Sequence, residues 1–406
     1  MRTVSYGFRF LRFTILVGVL ASILTGCQPP TEPLPRGLLV ALAVLDKDDA
    51  GKPVPMPAQL GILSRGTDGW HYETIDDPAS NVFHKAMVYE PEPGRPGILT
   101  LGGTAAVLKL RRDGAEPEVL WEKDFGGKFS RMRDAEVGDL YGDGVPSLAV
   151  ATHDQGIVAT VRPGPDGGWQ VDEVDAQPET IVHEIEIGDL DGDNTLEIYA
   201  TPSARNLLDG KPQPGSVTRY VPAAGEGRTV VAELGDRHAK EILVDDVDGD
   251  GRDELYVVIE AVSGGNVEIR RYDADTDPTA GTVVADLPDM LCRFLTAGDP
   301  DGDGRKEIVA ATHKSGLWLL EQGEPGERWS KELIDDDSGG FEHAAILTDL
   351  DGDGIEELYV ASDKHGEIRR YVWEAGKPVR EVIHSYGETF SGFTWNLMPI
   401  PVELIP

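Results

Sequence analysis

The sequence predicts an all-β fold built from repeated units. Five segments of thirteen residues align without gaps, and their first aspartates, at positions 139, 189, 246, 299 and 349, recur every 50 to 57 residues. Each segment lies among four short stretches rich in β-branched and aromatic residues, which are separated by turns that contain glycine. Repeats of this length are typical of arrays of small β-sheets. Four strands per unit of about fifty residues indicate the blades of a β-propeller.

Seven blades fit the chain, and the two ends of the sequence complement each other. Fourth strands begin near residues 70, 118, 169, 228, 282, 329 and 379. The seventh candidate for a first strand is the C-terminal segment 393–400, whereas the first blade lacks a first strand of its own. We therefore expect the C-terminal strand to join the first blade and close the ring, because closure removes free sheet edges. An open solenoid of the same units is the alternative.

Tryptophan recurs at the start of three fourth strands, at Trp70, Trp169 and Trp329. Large aromatic side chains at equivalent positions of a repeat are expected to fill the space between neighbouring blades. A row of platforms for sugar rings is the other interpretation.

The chain is strongly acidic. Its 406 residues include 72 aspartates and glutamates against 37 lysines and arginines, so the formal net charge is −35. Nucleic-acid binding depends on a basic surface, and this composition excludes a nucleic-acid partner. Hydrophobic residues make up 40% of the chain and are spread along it, which predicts a folded rather than a disordered protein.

The N-terminus predicts export. Three arginines precede an apolar run at residues 13–24, which is shorter than the ~20 residues that span a bilayer and fits a secretory signal. The sequence LTGC at 24–27 resembles the lipobox of bacterial lipoproteins, which implies cleavage before Cys27 and a lipid on its sulfur. An ordinary signal followed by an incidental cysteine is the alternative. Since Gln28 follows the cysteine, the sorting rule for such lipoproteins implies the outer membrane of a Gram-negative host.

Three regions are therefore predicted. Residues 1–26 form a lipoprotein signal peptide, residues 27–37 a lipidated cysteine with a proline-rich linker, and residues 38–406 the propeller. Once Cys27 carries lipid, Cys292 is the one remaining cysteine of the sequence, so no internal disulfide can form. An exported fold without disulfides requires another source of stability.

Acidic loops follow the first strands. The pattern D-x-D-G-D-G-x-x-E places carboxylates at alternate positions of a tight turn, and its glycines permit positive φ angles. Such a concentration of negative charge requires a cation, and an all-oxygen donor set favours a hard ion, Ca²⁺ before Mg²⁺. The loops at 246–254, 299–307 and 349–357 are complete, and that at 189–197 has Asn194 in place of its second glycine. The alternatives are acidic turns without an ion and an EF-hand, which needs a glutamate at position 12 and a following helix.

Two further copies are degenerate. The loop at 139–147 keeps Asp139 and Asp143 as candidate ligands but has tyrosine and serine at two other ligand positions. The loop at 90–98 contains two glutamates beside a proline, and we expect it to hold no ion.

The complete loops resemble the calcium-binding FG-GAP/VCBS repeats of integrin-α-type propellers, and the resemblance extends from about residue 84 onward. It implies an ion held by carboxylates at loop positions 1, 3, 5 and 9 and by the carbonyl at position 7. The carboxylates carried over are Asp189, Asp191, Asp193, Glu197, Asp246, Asp248, Asp250, Glu254, Asp299, Asp301, Asp303, Glu307, Asp349, Asp351, Asp353 and Glu357. About four Ca²⁺ sites follow, and we expect them to stabilise the fold in place of disulfides.

A basic residue lies six positions before the first acid of each unit. This register contains His84, Arg133, His183, Lys240, Arg293 and His343. Because it begins the innermost strand, we expect these side chains to surround the axis on the face opposite the loops. The turns between second and third strands should bring His153 and His313 to the same face, and Trp395 lies near the equivalent place in the C-terminal strand.

Three interpretations of this basic column remain open. The cations pair with neighbouring acids, such as Asp134, Glu184 and Glu241, and only neutralise the channel. Alternatively, they bind an anionic ligand such as a uronic acid, a sulfated or phosphorylated glycan, or another carboxylate. In the third interpretation the column is catalytic: His183 or His343 acts as a base, and Arg133 or Arg293 stabilises an enolate-like anion.

The favoured prediction is a monomeric, calcium-stabilised envelope lipoprotein that acts without catalysis. It binds or scaffolds an anionic glycan or another envelope protein, and its lipid attaches it to the membrane. The alternatives are a carbohydrate-active enzyme resembling a polysaccharide lyase, and a purely structural assembly scaffold.

Overall fold

The computed structural model describes residues 35–405, apart from 127–129, 154, 206–208, 324–327 and 388–389. The predicted signal peptide and Cys27 lie outside the described residues. In the described part of the chain, no helix is long and apolar enough to cross a membrane.

The secondary structure of the described residues is almost entirely β. The first strands are β1 (Pro35–Lys47), β2 (Pro53–Pro55), β3 (Ala58–Gly66), β4 (Gly69–Asp77), β5 (Phe83–Tyr89), β6 (Gly97–Gly102), β7 (Ala106–Arg111), β8 (Glu118–Lys123), β9 (Met132–Gly138), β10 (Ser147–Thr152), β11 (Ile157–Pro163), β12 (Trp169–Ala176), β13 (Ile181–Gly188), β14 (Glu197–Ser203), β15 (Ser216–Val221) and β16 (Glu226–Glu233). They continue with β17 (Ala239–Asp245), β18 (Glu254–Ile259), β19 (Val267–Tyr272), β20 (Thr282–Leu287), β21 (Cys292–Gly298), β22 (Glu307–Thr312), β23 (Leu317–Glu321), β24 (Ser330–Asp335), β25 (Ala345–Thr348), β26 (Glu357–Ser362), β27 (Glu367–Glu374), β28 (Lys377–Ser385) and β29 (Gly392–Pro401). Short 3-10 turns lie at Pro222–Ala224 and Val402–Leu404.

Over the described residues, these strands form seven antiparallel sheets, which are the blades of a ring. Blade 1 comprises β29, β1, β3 and β4, and the short β2 pairs with the end of β1. Blades 2 to 7 each use four consecutive strands, from β5–β8 to β25–β28. The first strands of successive blades contact one another from β5 round to β29, so they line the axis. The predicted seven-bladed all-β propeller is confirmed.

The ring closes between the two ends of the described chain. Strand β29 pairs antiparallel with β1, with Leu38 opposite Pro399 and Leu42 opposite Thr394. Leu38, Leu42 and Thr394 are fully buried in this seam. The C-terminal strand therefore supplies the innermost strand of blade 1, as the sequence predicts.

Tryptophans pack between the blades. Trp169 of blade 3 contacts the buried Tyr89 of blade 2, with ring centroids 6.1 Å apart. The same relationship joins Trp329 to Tyr256 at 5.7 Å and Trp70 to Tyr359 at 6.2 Å. The three fourth-strand tryptophans thus fill the space against the preceding blade.

Candidate functional site

β-Bulges near the start of the innermost strands position the axial side chains. A bulge inserts a residue that the ladder leaves unpaired, and it re-aims the side chains around it. In β5, β13 and β17 the register shifts across two residues, and in β9, β21 and β29 one residue is left out of the ladder. The residues at these shifts include His84, Arg133, His183, Lys240, Arg293 and Trp395.

Blade 7 departs from this pattern. Strand β25 begins at Ala345, so His343 precedes the strand, and its backbone has a φ of +62°. The His343 ring is fully buried; its Nδ1 donates to the carbonyl of Thr312 at 2.7 Å, and Ser338 Oγ donates to Nε2 at 2.8 Å. The structure thus places His343 away from the axial side chains, in a supporting hydrogen-bond network.

A cavity of about 170 Å³ lies at the axis on the face opposite the aspartate loops. Of the predicted column, Arg133, His153, His183, Lys240 and Arg293 line it. Further lining residues are Ile181, Arg205, Phe341, Glu342 and Trp395. His84 lies beside the cavity, where its Nδ1 accepts a hydrogen bond from Arg133 Nη1 at 2.6 Å. His313 instead lines a neighbouring pocket.

Glu342 is the functional residue that sequence reasoning missed. Its buried carboxylate lies 2.6 Å from Lys240 Nζ, 3.0 Å from Arg293 Nη1 and 3.9 Å from Arg133 Nη2. Burial by itself would raise the pKa of Glu342, but the charges of Lys240, Arg293 and Arg133 lower it to about 2. The sequence gives no signal for this role, because the missing bulge of blade 7 is visible only in the strand register, where β25 pairs with β26 without a shift.

The cavity carries an excess of positive charge. Among its described lining residues, Arg133, Lys240 and Arg293 surround the carboxylate of Glu342, and Arg205 is a further arginine of the wall. A second carboxylate, from Glu260, lies 3.6 Å from Arg293 Nε. Phe341 and Trp395 cover the cations from the sides, with Arg293 4.2 Å from the Phe341 ring centroid and Arg133 5.0 Å from that of Trp395. Low-polarity walls of this kind strengthen the attraction of the cavity for an anion.

His183 and His84 are neutral bases at the cavity. Burial, and then the charge of Lys240, holds the pKa of His183 well below its usual range, and burial followed by the charge of Arg133 does the same for His84. His183 is 7% exposed, and its Nε2 has no hydrogen-bond partner among the described residues. A buried polar atom without a partner indicates a place for a ligand atom or water.

An acidic layer surrounds Lys85 deeper in the channel. Lys85 Nζ lies 3.0 Å from Asp134 and also bonds Glu136. Burial is the first cause that raises the pKa of Glu184 and of Glu241 well above the usual range, and the charge of Asp134 adds to it. The acids predicted to neutralise the basic column thus face Lys85 or backbone amides: Glu241 accepts from the amide of Leu295 at 2.9 Å.

The aspartate loops form four compact acidic clusters in the described chain. In each cluster, one carboxylate oxygen from every member lies within 4.8 Å of the others, which is close enough to share a metal ion. Glycines at the fourth loop position have φ between 71° and 79°, and Asn194 supplies the left-handed conformation at the sixth position of its loop with φ of 65°. The clusters are Asp189–Asp191–Asp193, Asp246–Asp248–Asp250–Glu254, Asp299–Asp301–Asp303 and Asp349–Asp351–Asp353.

The ninth-position glutamate joins the aspartates only in the loop at 246–254 of these four clusters. In blades 4, 5 and 7 an arginine of the third strand pairs with this glutamate: Arg219 with Glu197, Arg271 with Glu254 and Arg370 with Glu357. Blade 6 has Leu319 at the equivalent register. There Glu307 Oε2 is buried without a partner among the described residues, and burial, then the charge of Asp301, raises the pKa of Glu307 to about 8.

Neighbouring loops interlock. Asp253 of blade 5 accepts a hydrogen bond from the amide of Asp189 in blade 4 at 2.7 Å. In the same way, Glu356 of blade 7 accepts a hydrogen bond from the amide of Asp299 in blade 6 at 2.7 Å. A Cβ at Gly188 would lie 2.2 Å from a methyl group of blade 5, and one at Gly298 would lie 2.1 Å from Glu356. Glycine therefore allows two blades to meet beside the loops without displacing these side chains.

Protein cations pair with carboxylates of the degenerate loops, as arginines also do in the complete loops, for example Arg271 with Asp248. Arg162 Nη1 lies 2.9 Å from Asp143, and its guanidinium stacks 4.0 Å from the Tyr141 ring centroid. In the loop at 90–98, Arg95 pairs with Glu92 at 2.6 Å. Neither loop is among the acidic clusters found in the described residues.

Solved structures share this architecture. A putative 6-phosphogluconolactonase from Bacteroides fragilis superposes with a TM-score of 0.54 at 12% identity, over 91% of this chain and 99% of that one. The periplasmic gluconolactonase of Pseudomonas aeruginosa gives 0.52 at 13% identity, over 88% and 99%, and the Dos1 propeller gives 0.54 at 9%, over 88% and 89%. The chain is a seven-bladed propeller. Sequence comparison matches it to no protein-family model and to no curated protein, so these likenesses show the fold alone.

Proposed function

We propose that the chain is a binding propeller whose axial cavity holds a compact anionic group of an envelope glycan. The observation that carries this proposal is the convergence of Arg133, Lys240 and Arg293 on one buried carboxylate, which leaves the cavity with excess positive charge. Carboxylate, sulfate and phosphate all match guanidinium and ammonium donors in charge and geometry. Scaffolding of another envelope protein would place an acidic side chain of the partner in the same cavity.

Calorimetry of the purified chain with galacturonate and with glucose 6-phosphate tests the proposal. We expect saturable binding of at least one of them, and an Arg293→Met variant should lose about tenfold or more in affinity, since a hydrogen bond to a charged group contributes about 1.5–3 kcal/mol. Arg162→Met, which removes an arginine far from the axis, is the matched control. Absence of binding by the parent chain, or an unchanged affinity in Arg293→Met, overturns the proposal.

A catalytic role is the second candidate, and His183 favours it. Its neutral imidazole lines the cavity between the charges of Arg133 and Lys240, and Nε2 is free of partners in the described structure. A base in this position suits removal of a proton next to a carboxylate that the cations hold, which is the chemistry of a polysaccharide lyase. Formation of an unsaturated product from a polyuronate, lost in His183→Ala, would establish it.

We propose further that the aspartate loops bind Ca²⁺ and belong to the FG-GAP/VCBS type. The donors fit the ion. Each cluster offers at least three carboxylates on a tight turn that contains residues with positive φ, and a hard cation prefers such all-oxygen donor sets. Bound there, Ca²⁺ would neutralise the clustered charge and stabilise the turn between first and second strands. Because neighbouring loops are hydrogen-bonded, this stabilisation extends from one blade to the next.

Export and lipid attachment complete the proposal. The N-terminal signal pattern and the lipobox resemblance support an outer-membrane lipoprotein, held away from the bilayer by the proline-rich linker at 27–37. Metabolic labelling with a palmitate analogue tests this: label should depend on Cys27, and its retention in Cys27→Ala would refute lipidation at that residue.

A further inference from the structure

A second pocket opens beside the axial cavity. Its volume is about 530 Å³, and Phe341 belongs to the walls of both spaces. The axial cavity, at about 170 Å³, is smaller than the ~300–1,000 Å³ typical of pockets that enclose whole ligands, whereas the second pocket falls within that range. The axial cavity therefore suits one charged group, and the remainder of a larger ligand would extend into the second pocket.

Aromatic rings connect the two spaces. The rings of Phe341 and Phe393 lie 5.7 Å apart, and those of Phe393 and Trp395 lie 6.2 Å apart. Trp395 lines the axial cavity, while Phe393 lines the second pocket and remains partly exposed. His313 continues the row at 6.3 Å from Phe341. These rings therefore form an aromatic wall that runs from the axial cavity into the second pocket.

Polar groups stand around these faces. Asp363 lines the second pocket and accepts hydrogen bonds from the amide of Thr394 at 3.1 and 3.2 Å. Lys314 and Lys364 are exposed at the rim, and the Nδ1 of His313 donates to the carbonyl of Gly340 at 3.1 Å. Aromatic faces surrounded by carboxylate and ammonium groups suit a sugar ring, which has apolar C–H faces and a belt of hydroxyls.

We infer that the ligand is an anionic saccharide of at least two rings. Its charged group occupies the axial cavity among Arg133, Lys240 and Arg293, and the adjoining ring lies against Phe341 and Phe393 in the second pocket. This inference rests on the proposed anion site and extends it to the part of the ligand that carries no charge.

The experiment compares matched monosaccharide and disaccharide probes on the purified full-length chain by calorimetry. One pair is galacturonate and galacturonosyl-rhamnose, whose second ring is neutral; the other is glucose 6-phosphate and trehalose 6-phosphate, which separates a carboxylate from a phosphate ligand. In at least one pair, the disaccharide should bind at least tenfold more tightly. Phe393→Leu keeps apolar volume but removes the flat ring, and should reduce that advantage to less than threefold while leaving monosaccharide affinity unchanged.

The controls separate this inference from the proposed anion site. Phe390→Leu alters an aromatic residue that packs on Tyr386, with ring centroids 4.2 Å apart, and should keep the disaccharide advantage. Equal affinities within both pairs, or an advantage that survives in Phe393→Leu, overturn the two-ring ligand but leave the anion site standing. Absence of binding by every probe overturns both. A thermal melt tests whether Phe393→Leu is folded, and Phe393→Tyr, which retains the ring, should restore the advantage.

Discussion

Lys240 and Glu342 form a buried ion pair at the propeller axis, with Nζ 2.6 Å from Oε2. The two residues lie 102 positions apart in the chain, in blades 5 and 7. Arg293 bonds the other oxygen of the same carboxylate at 3.0 Å. One acid thus holds together the cations that three blades bring to the axis, and the properties of the cavity depend on it.

Replacement of Glu342 by glutamine should strongly destabilise the fold. The variant leaves the guanidinium groups of Arg133 and Arg293 buried without their counter-charge and removes the partner of Lys240. Removal of one partner from a buried ion pair costs about 3–5 kcal/mol. Chemical denaturation at pH 7 measures the change. Glu332→Gln, at an exposed position of β24, should change the free energy of unfolding by less than about 0.5 kcal/mol. Equal stability of Glu342→Gln and the parent would show that the carboxylate does not serve as this counter-charge.

Affinity for anions should fall as pH rises. Burial, and then the charge of Arg293, lowers the pKa of Lys240 to about 7, so its ammonium loses a proton between about pH 6 and 8. Below this range Lys240 is a cation that attracts the ligand, and above it the attraction is lost. Galacturonate affinity measured at pH 6 and pH 8.5 should differ by about tenfold, which corresponds to about 1.4 kcal/mol. Lys240→Arg stays charged at both values and should abolish the difference; a parent chain with the same affinity at both would contradict this.

Removal of carboxylates from the acidic layer should stabilise the protein at alkaline pH. Burial raises the pKa of Glu184 and of Glu241 in the folded chain, so between the ordinary carboxyl value and the raised one the folded state binds more protons than the unfolded state. Their contribution is therefore favourable at low pH and is lost as pH rises. At pH 8.5, Glu184→Gln and Glu241→Gln should each raise the Tm by about 2 °C or more. Glu122→Gln, at an exposed position of β8, is the control. A lower Tm in both Glu184→Gln and Glu241→Gln would show that these carboxylates stabilise the folded state at alkaline pH, contrary to the prediction.

Chelation should lower the Tm if the loops hold Ca²⁺. An ion present at a hundred times its Kd stabilises the folded state by about 2.7 kcal/mol per site, so several sites together shift the melt by many degrees. The measurement is a thermal melt in EDTA, then after Ca²⁺ is restored. Asp299→Asn should reduce the calcium-dependent part of the shift, whereas Asp143→Asn, in the loop where Arg162 already pairs with Asp143, should leave it unchanged. A melt indifferent to both EDTA and added Ca²⁺ would exclude a stabilising metal.

Local patterns were sufficient to predict the fold. Loop spacing, glycine positions and strand-like stretches are properties of short segments, and each blade repeats them. Counting the predicted first and fourth strands therefore gives seven blades and a ring closed by residues 393–400. The acidic clusters were predictable for the same reason, because Asp246, Asp248 and Asp250 lie within five residues and a tight turn brings them together.

The ninth loop position shows what such local reasoning leaves out. Glu197 and Glu357 have the spacing of metal ligands, but Arg219 and Arg370 reach them from third strands paired across the sheet. The arginines lie 13 to 22 residues away in the sequence, and only strand register brings them opposite the glutamates.

By itself, the sequence determined the blades, their number, the acidic loops and the basic register, because all of these repeat along the chain. Only the tertiary structure decided which members of that register meet. β-Bulges turn Arg133, His183, Lys240 and Arg293 toward one cavity, while blade 7 contributes Glu342 and keeps His343 in its own network. The physical reason is that several blades each contribute a residue to the axial cavity. The register of each innermost strand decides which of its side chains reaches the axis, and the charge of the cavity depends on all of these registers together.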